Sequence, residues 1–237
     1  MTNKGKLVLI PNVIADQTQD QVINHQIRHA LQGMRHFLAE DIRTARRYLS
    51  SLKIFESIEQ LDFKILDKDT HEEQLPELFK PVSEGFTMGI ISESGCPGVA
   101  DPGALAVKYA HQNRIQVIPL VGPSSILLSL MASGLNGQRF AFHGYLPIES
   151  RAAAKAIKDL EKESRTKNQT QIFIETPYRN NGIMQNLVRN LQDNTWLCRA
   201  VDVTGASEDI KSHTIKDWRK VEDELPKLPT VFLFLAL

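Results

Sequence analysis

The residues best suited to chemistry lie in ISESGCPGVADPG, 91–103. Ser92, Glu93, Ser94 and Asp101 carry groups that bond a polar ligand. Gly95, Gly98 and Gly103 let the backbone approach a ligand closely or adopt positive φ. An apolar run, TMGIIS at 87–92, precedes this stretch and a helix-forming segment follows it. A loop at the carboxyl end of a parallel strand is a common ligand position. The same residues also make a Gly/Pro-rich surface turn with Asp101 capping the next helix. Spacing alone leaves both readings open. PLVGPSS, 119–125, repeats the arrangement, with Ser124 and Ser125 at a helix start where they cap the helix or receive a carboxylate. ETPYRN, 175–180, turns at Pro177 and offers Glu175 and Arg179 as an ion pair or as substrate contacts. FLAEDIRTARR, 37–47, sets Glu40, Asp41, Arg43, Arg46 and Arg47 at a strand end and the start of a helix. That is a solvated mixed-charge surface or an RNA-backbone contact.

Other chemistries find little support. The glycines form neither a GKS/T-ended phosphate loop nor a GxGxxG opening at the first strand, which disfavours ATP hydrolysis and dinucleotide redox chemistry. His25 and His29 share a helical face, but HQIRH lacks the Glu of a zinc-protease helix, and no metal site is expected. Cys96 lies in a polar turn where it has scope to react, yet there is no CxxC pair. Ser94 sits in SESGC, not in a GxSxG elbow.

The elements that must position these residues follow from apolar patterning. LVLI at 7–10, HFLA at 36–39, TMGIIS and QVIPLV at 116–121 read as strands. Residues 21–39 carry Val22, Ile23, Ile27, Leu31, Met34 and Leu38 near helical spacing and predict one amphipathic helix followed by the short strand around HFLA. Segments 43–52 and 104–112 predict two more. In the second half, SSILLSLMASG, RAAAKAIKDLEKE (151–163) and NNGIMQNLVRNL read as helices. RFAFHGYL, TQIFIE (170–175), WLCRAVDV and TVFLFLAL read as strands, with a loop before the last. Alternation of strand and helix implies a mostly parallel α/β architecture. Gly122 and Pro123 suggest a division into domains 1–121 and 122–237.

The chain has 237 residues, 42% of them apolar and 24% charged, which excludes a disordered or fibrous protein. Twenty-eight basic and twenty-eight acidic residues cancel, so bulk charge does not draw it to nucleic acid. Two cysteines suit a reducing cytoplasm. The first residues do not read as a secretion signal, and GPSSILLSLMASGLNG is broken by Gly, Ser and Pro, so no membrane span is expected.

Taken together these segments resemble the tetrapyrrole-methylase superfamily, in particular the bacterial 16S rRNA cytidine ribose 2′-O-methyltransferase family. Ser92-Glu93-Ser94-Gly95 stands where that family has Ser-Asp-Ala-Gly, within ISESGCPGVADPG. VGPSS at 121–125 resembles its PGPSA, and SGL…RFAFHGYLP at 133–147 its SGL…RFxFxGFLP. AEDIR at 39–43 is similar to AEDTR, and ETPYR at 175–179 to ESPHR. The resemblance implies a two-domain α/β fold with a cofactor cleft between the domains, homodimers, and S-adenosyl-L-methionine as cofactor. It implies methyl transfer to a substrate oxygen, with S-adenosyl-L-homocysteine as product and no metal. By the same resemblance Pro11 and Ser92, Glu93, Ser94 and Gly95 approach the cofactor. Val99, Ala100 and Asp101 wall its pocket, Ser124 and Ser125 support it, and Pro177 borders the adenosine. Glu40, Asp41 and Arg43 face the substrate, the two acids as candidate proton acceptors. The implied acceptor is rRNA or the small ribosomal subunit. A tetrapyrrole-like small molecule, or cofactor binding without catalysis, stays open.

The sequence departs from the family pattern in three places. PNVIADQTQD, 11–20, puts Ala15 where a Gly is expected and Asp16 where an Asn is expected. Gly205 replaces a Lys in RAVDVTGASEDI, 199–210. The ending TVFLFLAL implies that the C-terminal extension of the rRNA enzymes is lacking.

Overall fold

The computed structural model describes residues 5–237, which form two compact units, one ending at Ser124 and one spanning Ser125–Leu237. In the first, the chain runs β1 (Lys6–Ile10), α1 (Gln19–Val22), α2 (His25–Leu31), β2 (His36–Ala39), α3 (Ile42–Ser51), β3 (Asp62–Ile65), α4 (Leu75–Leu78), α5 (Lys80–Ser83), β4 (Met88–Ile91), α6 (Gly103–Gln112) and β5 (Gln116–Pro119). The sheet is wholly parallel, in the order β3-β2-β4-β1-β5.

Its strands are short apolar runs because both faces are covered. Successive side chains alternate between two cores. Val8, Ile10, Phe37 and Ile91 join Ile27, Leu31, Tyr48 and Leu49 on one face. Leu7, Leu38, Met88 and Ile90 join Leu75, Phe79, Ala106 and Ala110 on the other.

The single helix expected within 21–39 is instead two, and Leu38, counted on its apolar stripe, lies in β2. Asn24 adopts an extended conformation, its side chain accepts from the Ile27 amide, and its Nδ2 donates to the Val121 carbonyl. An Asn that caps a new helix interrupts the old one, since its amide competes for the backbone. The apolar stripe survives the break, for Ile23, Ile27, Leu31 and Met34 all enter the same core. Strand β3 was not legible, being a half-exposed edge strand, DFKI.

The second unit runs α7 (Ser125–Ser133), β6 (Phe140–Tyr145), α8 (Ser150–Lys167), β7 (Thr170–Glu175), α9 (Asn180–Asn190), β8 (Trp196–Val201), β9 (Asp209–Thr214), α10 (Ile215–Trp218) and β10 (Thr230–Leu235). Its sheet order is β6-β7-β10-β8-β9. Only β6 and β7 are parallel; the other three pairings are antiparallel. The expectation of a mostly parallel sheet fails in this unit. The last strand inserts between β7 and β8, and β8 turns back on β9 through residues 202–208, where Asp202 and Thr204 hold left-handed backbone. Strand β9 and helix α10 occupy sequence to which the apolar pattern assigns no element, because SHT and its neighbours offer few apolar residues to mark them.

Strand β10 is buried from end to end, as a central strand must be. Phe232 stacks on Phe173 with ring centroids 5.5 Å apart, against Ile157, Ile183 and Leu187 from α8 and α9. Phe232 is 0% exposed, so truncating it leaves a cavity the packed helices cannot fill. Phe232→Ala should lower unfolding free energy by roughly 3–5 kcal/mol in denaturant titrations. A loss below about 1 kcal/mol would show that this strand is not the centre of the core.

Candidate active site

Strand β1 lies between β4 and β5. The chain leaves β1 toward β2 on one side and leaves β4 toward β5 on the other. The carboxyl ends of β1 and β4 therefore mark a topological switch point, where loops diverge and leave a crevice.

The buried side chain of Asn12 joins the two loops. Its Nδ2 donates to the carbonyls of Ser92 and Glu93, both at 3.1 Å, and its Oδ1 accepts from the Val13 amide at 2.8 Å. Its own amide donates to the Gly95 carbonyl at 2.8 Å. From α3, Tyr48 donates its hydroxyl to the Pro11 carbonyl at 2.7 Å, and burial raises that hydroxyl's pKa. The β5 loop closes against the same point. A Cβ on Gly122 would lie 2.1 Å from Cβ of Pro11, so only glycine permits this approach. Cys96 ties the β4 and β5 loops, its thiol donating to the Pro123 carbonyl at 3.3 Å. Burial, and secondarily Asp101, push the thiol pKa up, which holds Cys96 as a structural donor instead of the reactive thiolate its polar turn suggested.

Within the β4 loop the sequence-predicted residues divide by role. The Ser92 hydroxyl is buried and turned on the carbonyls of Ser94 and Gly95, so it shapes the loop. Gly95 takes φ +67°, with the side chain of Ile14 3.3 Å from where a Cβ would stand. Asp101 accepts from the amides of Gly98 (2.6 Å) and Gly103 (2.8 Å), closing the turn at the start of α6. Ala100 holds left-handed backbone, and Val99 is exposed beside it. Glu93 and Ser94 are the loop's exposed polar members. They line a cavity of about 430 Å³ with Asn12, Ala15, Thr44, Arg47 and Tyr48. That volume suits a small ligand or one nucleotide-sized group.

Glu40 directly follows β2 and is half-buried. Burial, followed by the charges of Glu93, Asp101 and Asp67, raises its carboxyl pKa. These carboxylates create a negative field at this edge of the sheet, suited to a cationic ligand group. Asp41 is spent differently. It caps α3, accepting from the Thr44 amide at 2.6 Å, and those hydrogen bonds lower its pKa. Arg43 is exposed on α3, and Arg46 stacks over Phe63 with 5.4 Å to the ring centroid.

Ser124 is the last residue of the first unit. In the second, Ser125 opens α7 and Pro177 opens a short 3-10 turn after β7. There Arg179 pairs with the buried Glu175 at 3.0 Å, so these two residues form an ion pair at the edge of the core. Sequence reading missed Asn12, Thr44, Arg47 and Tyr48 as cavity residues. The helical spacing of Thr44, Arg47, Tyr48 and Ser51 down one side of α3 was the available signal. Among the described residues, no group of three or more His, Cys, Asp or Glu is placed to hold a metal ion, and no helix is long and apolar enough to cross a membrane.

No family model matches the chain. Curated relatives do. The chain is 29% identical over 226 residues to ribosomal RNA small subunit methyltransferase I of Escherichia coli O157:H7, a match covering 94% of this chain and 74% of that protein. It is 26% identical over 219 residues to the protein of the same name from Buchnera aphidicola, covering 91% and 73%. The Synechocystis protein of that name is 30% identical over 190 residues, covering 80% and 62%. Among solved structures, uroporphyrin-III-C-methyltransferase from Thermus thermophilus superposes with a TM-score of 0.57 at 16% identity, covering 98% of this chain and 92% of that one. The methyltransferase CobJ superposes with a TM-score of 0.62 at 14% identity, covering 98% and 94%. The chain thus shares a two-sheet α/β fold with these methyltransferases and, along nine-tenths of its length, is similar in sequence to the ribosomal RNA small subunit methyltransferase I proteins.

Proposed function

We propose that the chain is an S-adenosylmethionine-dependent methyltransferase whose acceptor is a ribose 2′-hydroxyl of small-subunit ribosomal RNA. The observation that carries this reading is the similarity to ribosomal RNA small subunit methyltransferase I over 91–94% of the chain. The reading also takes the protein to be a homodimer at work in the cytoplasm.

The residues present fit the cofactor. Glycine-only contacts at Gly95 and Gly122 bring backbone to the crevice, as close approach to a ligand requires. The carboxylates of Glu40, Glu93 and Asp101 match a ligand carrying a sulfonium and an ammonium group. When bound, S-adenosylmethionine supplies a methyl group already activated by the sulfonium. Metal and protein nucleophile are then unnecessary, and the chain's own task is alignment and proton removal. Glu93 and Ser94 hold polar groups of the cofactor, with Asn12 fixing the carbonyls behind them. Val99, Ala100 and Asp101 wall the site, and Ser124 supports it from the β5 loop. Glu40 takes the hydroxyl proton, because its raised pKa makes it a stronger base than the capped Asp41. Arg43 and Arg47 bind phosphates beside the acceptor sugar, a role suited to guanidinium geometry.

Calorimetry with S-adenosylhomocysteine and tritiated-methyl transfer to unmodified 16S rRNA, assembled small subunits and tetrapyrroles test the reading. Saturable binding and label in RNA are expected; label in tetrapyrroles only would overturn the RNA acceptor. Gly122→Ala should weaken S-adenosylhomocysteine binding at least tenfold, because a methyl group there forces the β1 and β5 loops apart; unchanged affinity would remove those loops from the site.

The proton acceptor has its own signature. Glu40 acts as a base only when ionised, and its raised pKa means it protonates at higher pH than an ordinary carboxylate. Transfer rate should therefore fall as pH drops through that raised value. Glu40→Gln should abolish this acidic limb and cut kcat by about 10²–10⁴. Glu93→Gln, which removes a like charge, should move the limb to lower pH. A limb that persists in Glu40→Gln would assign the proton to another group.

A further inference from the structure

Helix α8 carries a feature that neither the cavity nor the core explains. Arg151, Lys155, Lys158 and Lys162 recur at i, i+4, i+7 and i+11. At 3.6 residues per turn they fall within an arc of about 60° and extend about 16 Å along the axis. All four are exposed, while Ala153, Ile157, Glu161 and Ser164 bury the opposite side.

A merely solvated helix face mixes signs through i,i+4 pairs. Of the three acids on α8, Asp159 pairs with Lys155 at 2.7 Å at the edge of this row, Glu163 pairs with Lys167 at 2.6 Å, and the buried Glu161 accepts from the Gln192 amide and the Thr195 hydroxyl. Glu149, just before the helix, is committed as its cap to the amides of Arg151 and Ala152. Among the described residues, Arg151, Lys158 and Lys162 have no carboxylate within ion-pair distance. Arg151 also sits in the first turn, where a cation opposes the helix dipole, so helix stability does not account for it. Ala152 and Ala154 flank the row and, with Glu149, line a shallow groove beside Arg151, Lys155 and Lys158. The whole chain has no net charge, so this concentration of one sign is local.

A single-sign, regularly spaced row without an aromatic or large aliphatic anchor fits a polyanion better than a protein partner, whose binding needs such an anchor. An anionic membrane fits less well, because an interfacial helix turns its apolar face to lipid and α8 turns its own inward. We propose that the outward face of α8 docks the phosphodiester backbone of RNA, a contact on the second unit additional to the α3 arginines of the first. This rests on the rRNA reading above and names a surface that reading does not need.

The test uses the full chain and a triple variant, Lys155→Gln, Lys158→Gln and Lys162→Gln, with the corresponding Lys→Arg triple as control. Binding of unmodified 16S rRNA transcript is followed by fluorescence anisotropy between 50 and 200 mM salt, conditions under which phosphate contacts show strongly. Removing one lysine–phosphate pairing should lower the slope of log K against log salt by about 0.7–0.9, so the Gln triple should lose about 2–3 in slope. It should bind at least tenfold more weakly at the lowest salt, while the Arg triple keeps its affinity. S-adenosylhomocysteine affinity and thermal stability should be the same in all three proteins. An RNA salt slope unchanged in the Gln triple overturns the proposal and leaves the methyltransferase reading intact. Loss of binding to phosphatidylserine vesicles in the Gln triple, with RNA binding unchanged, also overturns it. Failure of the native chain to bind S-adenosylhomocysteine strikes at the methyltransferase reading, while the RNA slopes still decide the role of α8.

Discussion

The buried carboxamide of Asn12 is the contact on which the candidate site depends. It is 2% exposed, and all its hydrogen-bonding groups are used within the loops after β1 and β4. Each such bond contributes about 0.5–1.5 kcal/mol net, but an orphaned buried carbonyl costs about 1–3 kcal/mol. The constraint is therefore asymmetric: the loops gain modestly by meeting and lose heavily by parting. Tyr48 from α3 and the glycine-only approach of Gly122 to Pro11 act at the same place. Three loops and a helix converge there because β1 is central in its sheet, with β4 and β5 as neighbours.

Holding backbone so tightly frees some side chains and commits others. Ser92, Asp101, Cys96 and Asp41 look reactive by type, yet each is engaged in a bond that shapes a loop or caps a helix. Glu93, Ser94 and Glu40 are left facing the crevice or its rim. The two groups differ in protonation for physical reasons. Asp41 is exposed and receives hydrogen bonds that favour its charge, while Glu40 is half-buried among like charges that oppose it. Two adjacent carboxyls at one strand end thus have opposite tendencies, the exposed one favoured as an anion and the half-buried one disfavoured.

How far the sequence revealed this depends on the kind of signal. Buried parallel strands such as LVLI and MGII announced themselves, since a strand covered on both faces is continuously apolar. Edge strands did not: DFKI and DIKSHT are half-exposed and carry few apolar residues. Pattern could not reveal that β10 enters between β7 and β8 antiparallel, because pairing direction is set by long-range topology and not by local spacing. The break at Asn24 was written in the chain as a capping residue, but apolar periodicity running through it hid the signal. In the site, the Gly/Pro punctuation located the β4 and β5 loops. Asn12 left no pattern, because its importance comes from two carbonyls some eighty positions away.

Charge is where composition and structure speak most differently. A sum of zero describes the chain, but a polyanion meets a surface, and counterion release depends on how many phosphates that surface neutralises. Acids gather at the carboxyl edge of the first sheet, around Glu40, Glu93 and Asp101. Arginines occupy the exposed side of α3, and lysines form a row on α8. An acidic crevice repels phosphate and favours a cationic cofactor; basic helices do the reverse. Equal numbers of the two signs over the whole chain therefore leave room for local fields of either sign. Net neutrality is a sum over the chain, and it sets no limit on the sign or strength of the field that a single helix face presents to a polyanion.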